Sequence, residues 1–139
     1  MREAGREFES LGAMMESYAE TAVRVAMDDH GMTLDYSAES IPRLETVLAA
    51  RIPVKSSEQE EATRVWGGYF GEIFRRRWPA EWIMAVYPGG QFAMPALEIG
   101  GSQIYPLLKV FRRLTMGPGE DLSAFFAKVA GALEGKAQG

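Results

Sequence analysis

Glu72 is the acidic residue best placed to do chemistry in this chain. It stands within VWGGYFGEIFRRRW, residues 65–78, with Gly67, Gly68 and Gly71 before it and Arg75, Arg76 and Arg77 after it. A carboxylate that faces a groove left open by glycines can act as a general base or hold a cation. On that reading the binding residues are Glu72, Gly68, Gly71, Tyr69 and Arg76. The competing reading puts Glu72 on a solvated helix surface. There, arginines three and four positions later are ordinary ion-pair partners, worth about 0.2–0.5 kcal/mol.

The glycines do not form a phosphate loop. A Walker-type loop needs Lys-Ser or Lys-Thr after its last glycine, and here Glu72-Ile73 follows. A dinucleotide fingerprint must follow a strand, whereas this segment follows an acidic helix start. A helical reading survives, because Trp66, Tyr69, Phe70, Ile73 and Phe74 recur with a 3.6-residue period. Gly67 and Gly71 are then one turn apart on one face. Each interior glycine costs up to about 1 kcal/mol relative to alanine, so another backbone or a bulky side chain is expected to pack closely there.

Other chemistry is thinner. His30 is the sole histidine and neighbours Asp28 and Asp29, but adjacent helical residues point in different directions and no second histidine exists. No metal site is expected. No G-x-S-x-G elbow accompanies the histidine, so no catalytic residues are assigned. Arg75, Arg76 and Arg77 with Lys109, Arg112 and Arg113 form either a basic patch for an anion or solvated helix ends that complement the helix dipole. Tyr36, Trp66, Trp78, Trp82, Tyr87 and Phe92 serve either a core or a pocket wall.

The elements that must position these residues follow from periodicity and caps. Phe8, Leu11, Met15, Tyr18, Ala22, Val25 and Ala26 mark a helix over residues 7–29 that ends at Gly31. Met32 to Tyr36 alternate as a short strand. A serine between Ser37 and Ser40 caps a helix that carries Pro42 in its first turn, buries Ile41, Leu44, Val47 and Leu48, and runs to Arg51. A further helix starts at Ser57 and stops before Pro79. Residues 81–87 and 92–99 read as antiparallel strands about Pro88-Gly89-Gly90, with Pro95 requiring an edge or a bulge. Pro106 opens a helix with Leu107, Leu108, Val110, Phe111 and Leu114 inward and Lys109, Arg112 and Arg113 outward. The last helix starts at Glu120-Asp121, with Leu122, Phe125, Phe126, Val129 and Leu133 as its core residues. The order α-β-α-α-β-β-α-α predicts an α+β fold, a small and mostly antiparallel sheet of about three strands packed with helices. Residues 1–139 form a single domain, with frayed ends at 1–6 and 135–139.

Several of these phrases resemble a family. Leu34-Asp35-Tyr36-Ser37, Tyr69-Phe70-Gly71-Glu72, Trp78, Trp82 and Gly119-Glu120-Asp121-Leu122 are similar to motifs of small bacterial proteins known only as a domain of unknown function. The resemblance spans about residues 30–130. It implies a stand-alone bacterial protein and brings no catalytic residues with it. Gly67-Gly68 is richer in glycine than the family form.

Composition narrows the function classes. At 139 residues and 47% hydrophobic, the chain is sized for one domain with a real core. It has no cysteine, so thiolate chemistry and disulfides are excluded. No apolar run approaches the roughly 20 residues of a membrane span, and MREAGREFES lacks the apolar core of a signal peptide. The expected location is the cytoplasm. Residues 1–62 carry 6 Lys/Arg against 13 Asp/Glu, while residues 63–139 carry 9 against 6. This acidity disfavours nucleic acid and suits a basic partner. The leading expectation is a non-enzymatic protein that binds a protein partner or a second copy of itself, neutralising or regulating that partner, with no cofactor. The alternative is a small-molecule-binding protein or enzyme with a pocket beside the Gly67–Gly71 helix and Glu72.

Overall fold

The computed structural model describes residues 2–3 and 6–138, with side-chain environments for residues 8–135. Of the ends expected to fray, positions 1, 4, 5 and 139 lie outside the described residues. Arg2–Glu3 (β1) pairs antiparallel with Arg6–Glu7 (β2). The rest is an α+β fold of five helices and a three-stranded antiparallel sheet, as the periodicity predicted.

Helix α1 (Leu11–His30) begins later than its apolar stripe suggests, because Ser10 caps it by accepting the Ala13 N–H at 3.1 Å. It ends at Gly31, whose φ of 64° needs no side chain to be tolerated. Helix α2 (Ser40–Arg51) buries Ile41, Leu44, Val47 and Leu48 as expected. Its entry is fixed by Ser37, whose Oγ accepts the Ser40 N–H at 3.1 Å. A 3-10 turn (Ser56–Glu58) leads into α3 (Gln59–Arg77).

The sheet order is β3 (Ala80–Val86), β4 (Ala93–Ile99), β5 (Ser102–Ile104). Met32 to Tyr36 do not supply its third strand. Their backbone groups find other partners: Met32 N–H donates to Ala26 O at 3.0 Å, Arg43 Nε donates to Thr33 O at 2.7 Å, and Tyr36 N–H donates to Tyr69 Oη at 2.9 Å. Strand β5 takes the place through a two-residue turn at Gly100 and Gly101, whose φ values of 59° and 78° suit glycine in a tight hairpin. Because β5 covers only Leu97 to Ile99 of β4, Pro95 has a strand neighbour on the β3 side alone, so the missing N–H breaks no ladder.

Helix α3 is the axis of the molecule. Every residue from Val65 to Phe74 is buried, with α1 and α4 (Pro106–Met116) packed along it. A helix buried all round loses the polar face of a surface helix. Fully burying Trp66, Tyr69, Phe70 and Phe74 contributes about 1.5–3 kcal/mol each. Helix α5 (Leu122–Gln138) adds Leu122 and Phe126 to this core, and Phe126 lies 5.1 Å from the Phe74 ring.

Helix α4 corrects one expectation. Arg113 points inward and is 4% exposed, while Phe111 faces out at 39%. Arg113 Nε lies 3.4 Å from Glu45 Oε1, and Glu45 also accepts the Leu122 N–H at 3.2 Å. One carboxylate of α2 thus holds α4 and the start of α5 together.

Candidate functional site

The three glycines of α3 are contact points. A Cβ on Gly67 would stand 2.8 Å from Leu107 Cα, and one on Gly71 would overlap the Trp82 ring. A Cβ on Gly68 would lie 3.1 Å from Tyr18 Cβ and 3.2 Å from Met15 O. Gly67 and Gly71 therefore admit α4 and β3, while Gly68 admits α1. Packing offsets the conformational cost of glycine within a helix.

Glu72 is fully buried. Arg75 grips it with two hydrogen bonds, Nε to Oε2 at 2.5 Å and Nη2 to Oε1 at 2.7 Å. Trp82 Nε1 donates to Oε2 at 2.9 Å, and Arg76 Nε reaches Oε1 at 3.4 Å. Burial favours the neutral acid. The hydrogen bonds from Arg75 and Trp82, with the charges of Arg75 and Arg76, outweigh it and hold the carboxyl below its ordinary range. The result is an ionised carboxylate whose oxygens are taken by donors. It ties the end of α3 to the Trp82 indole that rests on Gly71.

Tyr69 and Arg76 meet through a residue that sequence reasoning did not single out for this role. Tyr36 adopts a left-handed φ of 66°, a conformation that costs a bulky residue free energy unless its surroundings enforce it. Its ring lies 5.0 Å from Tyr69, and the Arg76 guanidinium sits 3.6 Å over its face. The Tyr69 hydroxyl accepts the Tyr36 N–H and shares a 2.7 Å hydrogen bond with Ser40 Oγ, which itself donates to Ser37 O. Burial pushes both tyrosine hydroxyls up, so neither is a ready base. Asp35 holds the turn by accepting from Ser37 N–H at 3.1 Å and Ser37 Oγ at 2.5 Å. A signal for this turn lies in the sequence, since Asp and Ser flank Tyr36 as turn residues do.

Tyr69, Tyr36, Arg76, Glu72 and Trp82 thus form one connected network, joining the two short motifs around Tyr36 and Glu72. Gly71 lies under the Trp82 end, and Gly68 faces away toward α1. Glu72, Gly68, Gly71, Tyr69 and Arg76 line none of the four principal cavities among the described residues. The basic residues are likewise dispersed. Arg77 pairs with Glu134 at 3.3 Å, Lys109 with Glu120 at 2.8 Å, and Arg112 lies 5.6 Å from the Tyr87 ring centroid.

Open volume lies at the other end of α3. A groove of about 750 Å³ separates its first turns from α4 and the far ends of β3 and β4. Trp82, Met84 and Val86 share one face of β3. Trp82 is buried, but Met84 and Val86 are each 50% exposed. Leu107, Leu108 and Phe111 of α4 and Met14 of α1 complete the apolar lining. The Thr63 hydroxyl borders the groove and is buried with no hydrogen-bond partner among the described residues. On the opposite face of α3 a second cleft, about 530 Å³, collects Asp29, His30, Arg51, Glu58 and Glu61 around Trp66.

Among the described residues no helix is long and apolar enough to cross a membrane, and no group of His, Asp and Glu is gathered as a metal site would be. No protein-family model, no curated protein and no solved structure matches this chain.

Proposed function

We propose that this chain is a non-enzymatic interaction protein that seats an apolar segment of a protein partner in the groove between α4 and the ends of β3 and β4. In this reading it acts in a bacterial cytoplasm and regulates or neutralises that partner, in keeping with the motif resemblance and with the acidity of residues 1–62. The groove is the observation that carries the reading. Its volume is within the range of binding pockets, about 300–1,000 Å³. Met14, Met84 and Met94 give it side chains that adapt to irregular apolar surfaces. Nearby, Phe92 is 80% exposed at the β3–β4 turn, which extends the apolar surface beyond the groove.

The test is affinity capture from cells that naturally make the protein, with the wild-type chain and with Met84→Glu and Phe111→Glu. One stoichiometric partner is expected, lost in both variants while their circular dichroism matches wild type. A partner held equally by both variants would place the interface elsewhere, and no partner at all would count against the reading. Sedimentation over a range of concentrations reports separately whether that partner is a second copy.

A further inference from the structure

The cleft on the opposite face of α3 has a chemistry of its own, independent of the partner groove. Its floor is apolar, with Val25, Ala62 and Val65 beside Trp66. Its charged lining comprises the carboxylates Asp29, Glu58 and Glu61 against the cation Arg51. Three carboxylates against one guanidinium leave that lining net negative. The positive end of the α3 dipole, equivalent to about half a charge, reduces this excess without reversing it.

Arg51 shows what such a cleft attracts. Its guanidinium carbon lies 5.4 Å from the Trp66 ring centroid, its Nη1 is 3.2 Å from His30 Nε2, and Asp29 Oδ2 is 3.9 Å away. An aromatic face, an imidazole nitrogen and a carboxylate together form a seat for an organic cation. The chain fills that seat with its own side chain, but loosely. Arg51 is 37% exposed at its side chain, and its ion pair with Asp29 is long. Glu58 and Glu61 hold no ion pair among the described residues, so the cleft keeps uncompensated negative charge.

The geometry points to this cleft as a binding site for a small organic cation, an amine or guanidinium on an apolar stem. The stem lies along Val25, Ala62 and Val65. The cationic head takes the place of the Arg51 guanidinium over Trp66, with Asp29, Glu58 and Glu61 around it, and Arg51 swings out to solvent. Arg51 is then a tethered competitor, and its removal strengthens binding.

Phenethylamine is a suitable probe, with 3-phenylpropionate as an anion of similar shape. Titration into the ¹⁵N-labelled chain is followed by the indole N–H signals of Trp66, Trp78 and Trp82. A saturable shift of Trp66 is expected with the amine and not with the carboxylate. Arg51→Ala is expected to tighten amine binding about threefold, and Glu58→Gln with Glu61→Gln to weaken it about tenfold, the scale of two exposed charge pairs. Unmoved Trp78 and Trp82 signals in the free variants confirm that the fold is intact. Four results overturn the inference: no saturable Trp66 shift at millimolar amine, equal binding of the anion, weaker binding in Arg51→Ala, or unchanged binding in the double variant.

Discussion

The two halves of α3 solve opposite problems on one helix. From Gly67 to Phe74 its surface is closed: glycines admit Leu107 and Trp82, and Glu72 is held by Arg75 and the Trp82 indole. One turn before Gly67 on the same face stands Thr63, and there the space opens into the groove. Leu107 belongs to both regions, touching Gly67 and lining the groove. A glycine lets α4 close against the helix axis, and a residue with a side chain holds the neighbour off. The small residues that suggested a ligand loop mark where the protein is most tightly packed. The ordinary polar residues of the first turns border its open volume.

The largest expected break in this contrast is Gly71→Leu. Its side chain would occupy the space of the Trp82 ring, and overpacking in a tight core costs about 3 kcal/mol or more. Urea unfolding should show the loss as a lower midpoint, or as a chain that does not fold. A midpoint within about 0.5 kcal/mol of wild type would mean that the strip is loose.

Glu72→Gln follows. The amide keeps the shape and can still accept from Trp82, but the ionic grip of Arg75 is gone. Arg75 is partly exposed, so its freed charge returns to water and the loss is limited to about 1–2 kcal/mol. The pH dependence carries the sign. A carboxyl held below its ordinary value of 4.5 stabilises the fold above that pH, and the contribution is lost as pH falls through the lower folded-state value. Wild-type stability should therefore fall on acidification below about pH 4.5, and the Gln variant should fall less. Parallel curves for the two proteins would remove Glu72 from this role.

The smallest effect is expected on the open side. Met84→Glu and Phe111→Glu replace half-exposed side chains, so each should shift stability by no more than about 0.5 kcal/mol while abolishing partner capture. A large loss of stability in either variant would show that the groove is part of the core.

Much of this was legible without coordinates. The caps and breakers at Gly31, Pro79 and Pro106 place helix ends within a few residues, because backbone conformation is a local property. The expectation of close packing on the glycine face is likewise met, since a glycine inside an aromatic helix needs such a reason. Alternation at Met32–Tyr36 misled, because strand character needs a partner strand and here side chains of α2 and α3 supply the hydrogen bonds. Position misled again at Arg113, whose inward guanidinium meets Glu45 of another helix at 3.4 Å while its Nε and Nη1 have no hydrogen-bond partner among the described residues.

The chain by itself determined the class of fold, the helix with buried glycines and the absence of thiol chemistry. Those follow from periodicity, local caps and residue types, which act over a few residues. Tertiary structure decided that Glu72 is buried and committed to Arg75 and Trp82, that Tyr36 joins Tyr69 to Arg76, and that open space flanks the start of α3. Each of these depends on side chains from distant elements meeting at hydrogen-bonding or van der Waals distance. That range is too short for sequence spacing to resolve.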